Sequence, residues 1–145
     1  MNKPAISVLR SFQTVVDAKI LEAGDFADAV PGGLWTGEVP EGQSLPYGTI
    51  TVRQSSYEWI FSDSYIEHVE IEIIMYAVGA DALDEALNEI EGTFNWEEDL
   101  LFPPDDVLIH VYPLPRTTRG EFARDVDGNQ VFSGSLGYHV SVWRV

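Results

Sequence analysis

One stretch of the sequence, Glu67–Val78 followed by Ala80–Glu91, constrains the fold more than any other. In its first half, apolar side chains recur at every second position, which is the period of a strand with one buried face. They are Val69, Ile71, Ile73, Met75 and Ala77. The alternate positions begin with His68, Glu70 and Glu72 and continue with Ile74, Tyr76 and Val78. The pattern therefore predicts a central strand that starts half-solvated and becomes buried on both sides.

The second half of this stretch predicts a helix. Gly79 ends the strand, and Asp81 is a suitable N-cap whose side chain can accept a backbone N–H bond. Gly92 is the expected helix stop. Between them, apolar residues recur at helical spacing and predict one buried stripe: Ala82, Leu83, Ala86, Leu87 and Ile90.

The remaining elements are arranged around this strand and helix. Residues 4–22 predict an amphipathic helix with Ile6, Leu9, Phe12, Val15, Val16, Ile20 and Leu21 on its apolar side, followed by a polar connection over 25–33. Short extended structure is predicted at 34–39, and strand 47–61 is predicted to pair antiparallel with 65–78. After an irregular acidic segment at 93–106, a strand is predicted at 107–114, a hairpin turn at Asp127-Gly128, and a final strand at 137–145. The order predicts one α+β domain over residues 1–145, with a mainly antiparallel sheet packed against an N-terminal helix and a central helix and ending in a C-terminal hairpin.

The charge distribution limits the classes of partner. The chain has 145 residues and a formal net charge of −16, and no Lys or Arg occurs between Arg53 and Arg116 although that interval contains 15 acidic residues. Binding to phosphate backbones requires clustered Lys and Arg, so nucleic-acid binding is disfavoured. Two interpretations remain open: a solubilising acidic surface, or a surface that either lies near nucleic acid without retaining it or contacts a basic partner.

Arg116, Arg119 and Arg124 form the only basic cluster in the sequence. They can pair locally with Glu121 and Asp125. They can also pair across a subunit boundary with the acidic 54–115 interval, which would give a head-to-tail contact of the kind that closes into rings. The sequence leaves both alternatives open.

No residue pattern in the chain indicates a catalytic, cofactor or metal site. His68, Glu70 and Glu72 share one strand face and could ligate a metal, but the required fourth ligand is not specified, so a solvated face is favoured. Gly134-Ser135-Leu136-Gly137 lacks the spacing of a nucleophile elbow. With no cysteine and no apolar run of membrane-spanning length, thiolate chemistry and a membrane partner are not expected.

Gly33–Val52 resembles a segment of the tail-completion, or tail-terminator, family of tailed phages and prophages. In this chain a short strand led by glycine is followed by Val39-Pro40, a polar loop, and Pro46-Tyr47 at the start of a longer strand, and this succession is similar to the pattern of that family. The order of the flanking elements is similar over most of the chain.

The resemblance implies a structural subunit, not an enzyme, that forms a ring, often a hexamer, at the head-proximal end of the tail tube. Such a ring ends tube polymerisation, joins the tube protein to a neck or connector protein, and lets DNA pass without binding it. It also implies a location in the virion tail, or in the host cytoplasm during assembly. On this interpretation Arg116, Arg119 and Arg124 are candidate interface residues, and Glu67, Glu70 and Glu72 form a candidate acidic lumen or assembly face. The alternatives are an acidic DNA mimic and a small-ligand or metal-binding module that uses His68, Glu70 and Glu72.

Overall fold

The computed structural model describes residues 6–22, 24–61, 63–94, 107–114, 117–124 and 128–144. The fold is α+β with a mainly antiparallel sheet, as the sequence predicts. Within the described residues there are three helices and six strands. In chain order they are α1 (Ile6–Leu21), α2 (Asp25–Ala29), β1 (Leu34–Trp35), β2 (Tyr47–Phe61), β3 (Ser64–Val78), α3 (Ala80–Phe94), β4 (Val107–Pro113), β5 (Thr117–Arg124) and β6 (Gln130–Arg144).

The sheet is built around β3 and β6, which lie side by side along their full lengths. Its order is β1-β2-β3-β6-β4, and β5 pairs with β6 beside β4. The predicted pairing of β2 with β3 is confirmed, in a register that places Tyr47 opposite Tyr76. Every pair is antiparallel except β1–β2, which is parallel and only two residues long. β4 and β5 therefore lie end to end along one side of β6.

The hydrophobic core lies between one face of this sheet and the helices. On β3 the core positions are the five predicted ones, and all of them are completely buried: Val69, Ile71, Ile73, Met75 and Ala77. On β6 the core positions are Leu136, Tyr138, Val140 and Val142, and on α3 they include Leu83, Ala86, Leu87 and Ile90. At about 25 cal/mol per Å² of apolar surface removed from water, this shared layer dominates the stability of the fold.

α3 differs from the predicted helix at both ends. It begins at Ala80, where the Leu83 N–H donates to the Gly79 carbonyl, so Asp81 lies inside the helix and is not its N-cap. It also continues through Gly92 to Phe94. The reason is burial: the Phe94 ring is completely buried and packs edge-on against Tyr138, with ring centroids 6.0 Å apart. This tertiary contact outweighs the modest cost of about 1 kcal/mol for glycine in a helix.

The first three elements also correct details of the prediction. α1 is confirmed within the described residues, but Leu21 is 85% exposed and does not belong to its buried side, whereas Val16 does. The predicted polar connection contains a short helix, α2, because Phe26 and Ala29 are buried there. The extended segment predicted at 34–39 is a strand only at Leu34–Trp35.

The C-terminal hairpin is confirmed, but its second strand is longer than predicted. β5 and β6 pair antiparallel from Arg124 opposite Gln130 onward, and Gly128 has a positive φ of 81° in the connecting turn. β6 begins at Gln130, seven positions before the predicted start at 137. Glycine and serine at 133–135 have low strand propensity, and pairing with β3 overrides that propensity.

Part of the prediction falls outside the described residues. Of the acidic segment predicted at 93–106, residues 95–106 lie outside the described residues. Thr93 and Phe94 belong to α3. Among the residues that the structure describes, no helix has the length and hydrophobicity needed to cross a bilayer.

Candidate assembly surface

The sheet has a second face, which the described helices do not cover. Along β3, side chains alternate between completely buried and half-buried from Ile66 to Ala77, and the half-buried set points away from the helices. We call this side the open face. Three of the candidate residues lie on this face: His68, Glu70 and Glu72.

Cross-strand register determines which side chains meet on the open face. His68 lies opposite Ser56 of β2 and Ser141 of β6, and Glu70 lies opposite Gln54 and His139. One step further along, Glu72 lies opposite Thr51 and Gly137. The centre of the face is therefore built from hydroxyl, amide, imidazole and carboxylate groups.

His68 is the centre of a hydrogen-bonded group on this face. Its Nδ1 lies 2.9 Å from Ser141 Oγ, and its Nε2 lies 3.1 Å from Glu58 Oε2. With its proton on Nε2, His68 donates to Glu58 and accepts from the Ser141 hydroxyl. His139 Nε2 lies 3.4 Å from His68 Nδ1, and the two rings are 5.5 Å apart. The group joins β2, β3 and β6 through side chains as well as through the backbone.

The carboxylates of the open face are only partly neutralised. Arg53 Nη1 lies 3.8 Å from Glu72 Oε2, and Arg53 sits at a register shift between Val52 and Gln54 that places an extra residue in β2. Because the Arg53 side chain is 57% exposed, this ion pair contributes little stability, about 0–1 kcal/mol. Against Arg53 the face carries three carboxylates, those of Glu58, Glu70 and Glu72, so it is acidic.

Glu67 does not belong to this face, and its grouping with Glu70 and Glu72 was wrong. It is completely buried, on the core face, directly opposite Tyr57 of β2 and Val142 of β6. The physical reason is the two-residue period of a strand, which gives position 67 the same orientation as Val69. That parity was already present in the sequence.

Two of the three candidate arginines lie on a strand that is separated from β2. Arg119 and Arg124 are in β5, and β6 and β3 separate β5 from β2. Arg116 lies outside the described residues. The structure thus places the basic segment at one edge of the sheet, and its interface role stays a prediction.

Two hollows open on the helix side of the molecule. One lies between α1 and the Pro31–Trp35 segment, where Trp35 Nε1 donates to the Gly32 carbonyl at 2.8 Å. The other lies between α2 and the end of α3, and Glu22, Asp25 and Glu89 line it. Within the described part of the chain no group of three His, Asp or Glu side chains is arranged to hold a metal ion.

The comparisons with known proteins identify a shared fold. No family model matches the sequence, and no curated protein matches it. Among solved structures, the fold is similar to that of a chain in a structure described as "Virion of native gene transfer agent (GTA) particle". The TM-score is 0.65 at 16% sequence identity, and the match covers 95% of this chain and 98% of that chain.

Proposed function

We propose that this chain is a structural protein of a phage-like virion, and that it is not an enzyme. The observation that carries the proposal is the fold match to a virion chain over nearly the whole length of both proteins. The resemblance of Gly33–Val52 to the tail-terminator family supports the same conclusion independently.

Within the virion we propose the role of a tail terminator. The chain would form a ring of identical subunits at the head-proximal end of the tail tube. There it would end tube polymerisation and bind a neck or connector protein on its other side. Its function then lies in shape and surface charge, and it requires no cofactor.

The open face is the surface that we propose lines the DNA path. Glu58, Glu70 and Glu72 give it negative charge, which repels phosphate groups at short range. A ring lumen of this kind lets DNA pass without holding it. The arginines of the 116–124 segment would contribute to the contact with a neighbouring subunit, as an alternative to local pairing.

The proposal is tested by adding the purified protein to its cognate tail-tube protein during polymerisation. We expect shorter tubes, and electron microscopy should show a ring of added density at one end of each tube. Heat-unfolded protein serves as the control. Unchanged tube lengths with bare ends, together with a strict monomer in light scattering at high protein concentration, would refute the proposed role.

A further inference from the structure

The hollow between α1 and the Pro31–Trp35 segment contains a buried hydrogen-bond acceptor. Gln13 and Asp17 of α1 both line this hollow, and Gln13 Nε2 donates to Asp17 Oδ1 at 2.8 Å. Gln13 Oε1 is buried and, within the part of the chain that the structure describes, accepts no hydrogen bond. Because an ionised carboxylate can only accept, the amide nitrogen must face Asp17, and the buried atom is therefore the oxygen.

Several hydrogen-bond donors around the hollow are already used elsewhere. Trp35 Nε1 donates to the Gly32 carbonyl at 2.8 Å. The backbone N–H of Gly32 donates to the Pro46 carbonyl, and that of Gly33 donates to a carbonyl of the preceding segment. A buried acceptor without a donor destabilises a protein. A group that enters the hollow from outside and donates to Gln13 Oε1 would therefore be favoured.

The hollow fits a single long, positively charged side chain. Its volume is about 270 Å³, just below the range of about 300–1,000 Å³ that is usual for small-molecule sites. The occupant should only donate hydrogen bonds, since Gln13 Oε1 and the Asp17 carboxylate both accept. The walls also include Ile20 and Trp35, which suit an apolar stem. Arginine meets these requirements better than lysine, because its planar fork bonds several acceptors at once and stacks on aromatic rings.

β5 carries an arginine at the height of this hollow, on the opposite edge of the sheet. Arg119 sits at a register shift between Thr118 and Gly120. Counted strand by strand across the sheet, Thr118 lies at the height of Gly48, which pairs with Leu34 of β1. Leu34 lines the hollow. Arg119 and the hollow therefore lie at the same height of the fold.

Arg119 and the hollow of its own subunit are too far apart to meet. β6, β3 and β2 lie between β5 and β1, and strands are about 4.8 Å apart, so the two edges are about 19 Å from each other. In a row of copies, however, the β5 edge of one faces the β1 edge of the next. Because β1 fills the place beside β2 at this height, the neighbour's β5 lies outside β1. Side chains, and not a continued sheet, would make the contact there.

We propose that the hollow between α1 and the Pro31–Trp35 segment receives the Arg119 side chain of a second copy of this chain. Arg119 donates to Gln13 Oε1 and Asp17, and its guanidinium lies against Trp35. The contact is head-to-tail, with different surfaces on its two sides, which is the type that closes into a ring. The inference rests on the proposed ring and identifies the pair of sites that joins its subunits. The ion pair also offsets the repulsion between copies of net charge −16.

The test reverses the two charges separately and together. Asp17→Lys and Arg119→Glu should each weaken self-association in sedimentation experiments by roughly tenfold, because like charges then meet at the contact. A chain that carries both substitutions, or a mixture of the two single variants, brings opposite charges together again and should regain most of the lost association. Asp17 is exposed, so the unfolding midpoint of its variant should stay at the wild-type value.

Matched controls separate this contact from general charge effects. Glu85→Lys changes the net charge as Asp17→Lys does, at an exposed position on α3, and should not weaken association. Arg124→Glu makes the other arginine-to-glutamate change in β5, at the pair with Gln130. Recovery of Asp17→Lys by Arg124→Glu instead of Arg119→Glu would overturn the assignment of Arg119.

The outcomes distinguish the arginine contact from the terminator role. Loss of association in both single variants without recovery in the double variant would refute the pair. Single variants that form rings and cap tubes like the wild-type protein would refute the arginine contact and leave the terminator role intact. A wild-type protein that neither self-associates nor caps tubes would refute both.

A second measurement uses Gln13→Met, which removes the buried acceptor and keeps an unbranched side chain of similar length. In the isolated subunit the unfolding midpoint should be unchanged or higher, because an acceptor without a donor has been removed. Self-association should fall several-fold, because Arg119 of the neighbour loses a partner. A lower midpoint, or unchanged association, would contradict the proposal, since Gln13 would then serve only the fold of its own subunit.

Discussion

The two faces of β3 differ sharply although a single strand of 15 residues supplies both. Its core face is completely buried and packs in one cluster with residues of the helices. Its open face is half-exposed, acidic and cross-linked by side chains of β2 and β6. The difference separates two tasks: the core face holds the fold together, and the open face is free to carry the charge that the proposed ring needs. Substitutions on the two faces should therefore change different measured quantities.

The largest effect is expected from paired substitutions at adjacent isoleucines. Ile73→Ala removes a completely buried side chain and should lower the free energy of unfolding by about 2–5 kcal/mol. Ile74→Ala, on the open face, should cost about 1 kcal/mol because its side chain is already half-exposed. Urea denaturation of the monomer measures both. Equal losses would mean that the open face is packed as tightly as the core.

A similar contrast is expected at two glycines that lie on opposite faces. A Cβ at Gly48 would meet Met75 Sδ, and would lie 2.6 Å from the Ile74 carbonyl, a backbone atom that cannot easily move. Gly48→Ala should therefore cost about 1–3 kcal/mol through overpacking.

Gly137→Ala is the matched substitution on the open face. Its Cβ would lie 3.1 Å from Leu114 Cδ1 and 3.2 Å from Leu114 Cβ, so Leu114 must shift slightly, by less than the backbone shift that Gly48→Ala demands. We expect a change within about 1 kcal/mol of zero, partly because alanine reduces the entropy of the unfolded chain. Thermal unfolding of both variants makes the comparison. A larger loss of stability for Gly137→Ala than for Gly48→Ala would contradict the assignment of Gly48 to the core face and Gly137 to the open face.

The hydrogen-bonded group on the open face should contribute a smaller amount. His68→Ala removes two contacts, and at about 0.5–1.5 kcal/mol for each hydrogen bond we expect a loss of about 1–2 kcal/mol. Glu58→Ala should cost less than about 1 kcal/mol, since the Glu58 side chain is largely exposed. A double-mutant cycle by urea denaturation isolates the coupling between the two. A coupling energy well above about 1 kcal/mol would mean that the open face, like the core face, contributes substantially to the stability of the fold.

The smallest effect on stability and the clearest effect on DNA are expected from the remaining carboxylates. Glu70→Gln combined with Glu72→Gln should change the free energy of unfolding by less than about 1 kcal/mol. In the assembled protein the same pair should raise affinity for DNA several-fold at low salt, because repulsion is reduced.

The control for this experiment is Glu38→Gln combined with Glu85→Gln. Both of these residues are exposed, one in a loop and one on α3, and they make the same change in net charge away from the open face. Fluorescence anisotropy with a labelled duplex provides the measurement. If the control raises the affinity for DNA as much as the open-face pair does, net charge alone explains the effect. The open face would then have no special position relative to the DNA.

Local patterns in the sequence predicted most helices and strands. The contacts between distant segments, which follow from the strand register, could not be predicted. The alternation along β3 predicted five buried positions correctly, and the same alternation contradicts the grouping of Glu67 with Glu70. The end of α3 could not be predicted, because Phe94 is held by Tyr138, far along the chain.

The polar group on the open face was equally inaccessible from sequence. His68 and Ser141 are 73 positions apart and meet only because β3 and β6 are neighbours. The two-residue length of β1 was also missed, because propensity alone predicted a longer extended segment. The proposed site thus depends on pairings between segments that are remote in the chain.

The position of β6 has a consequence for how the subunit matures. This strand follows every other described element in the chain, yet β3, β4 and β5 all pair with it. During synthesis one side of β3 therefore stays unpaired until β6 has been made. β6 begins more than fifty residues after the end of β3. Contacts of such large sequence separation form slowly. A subunit in that state lacks the part of the open face that β6 supplies, so assembly would have to follow folding, and the chain order itself would delay premature assembly.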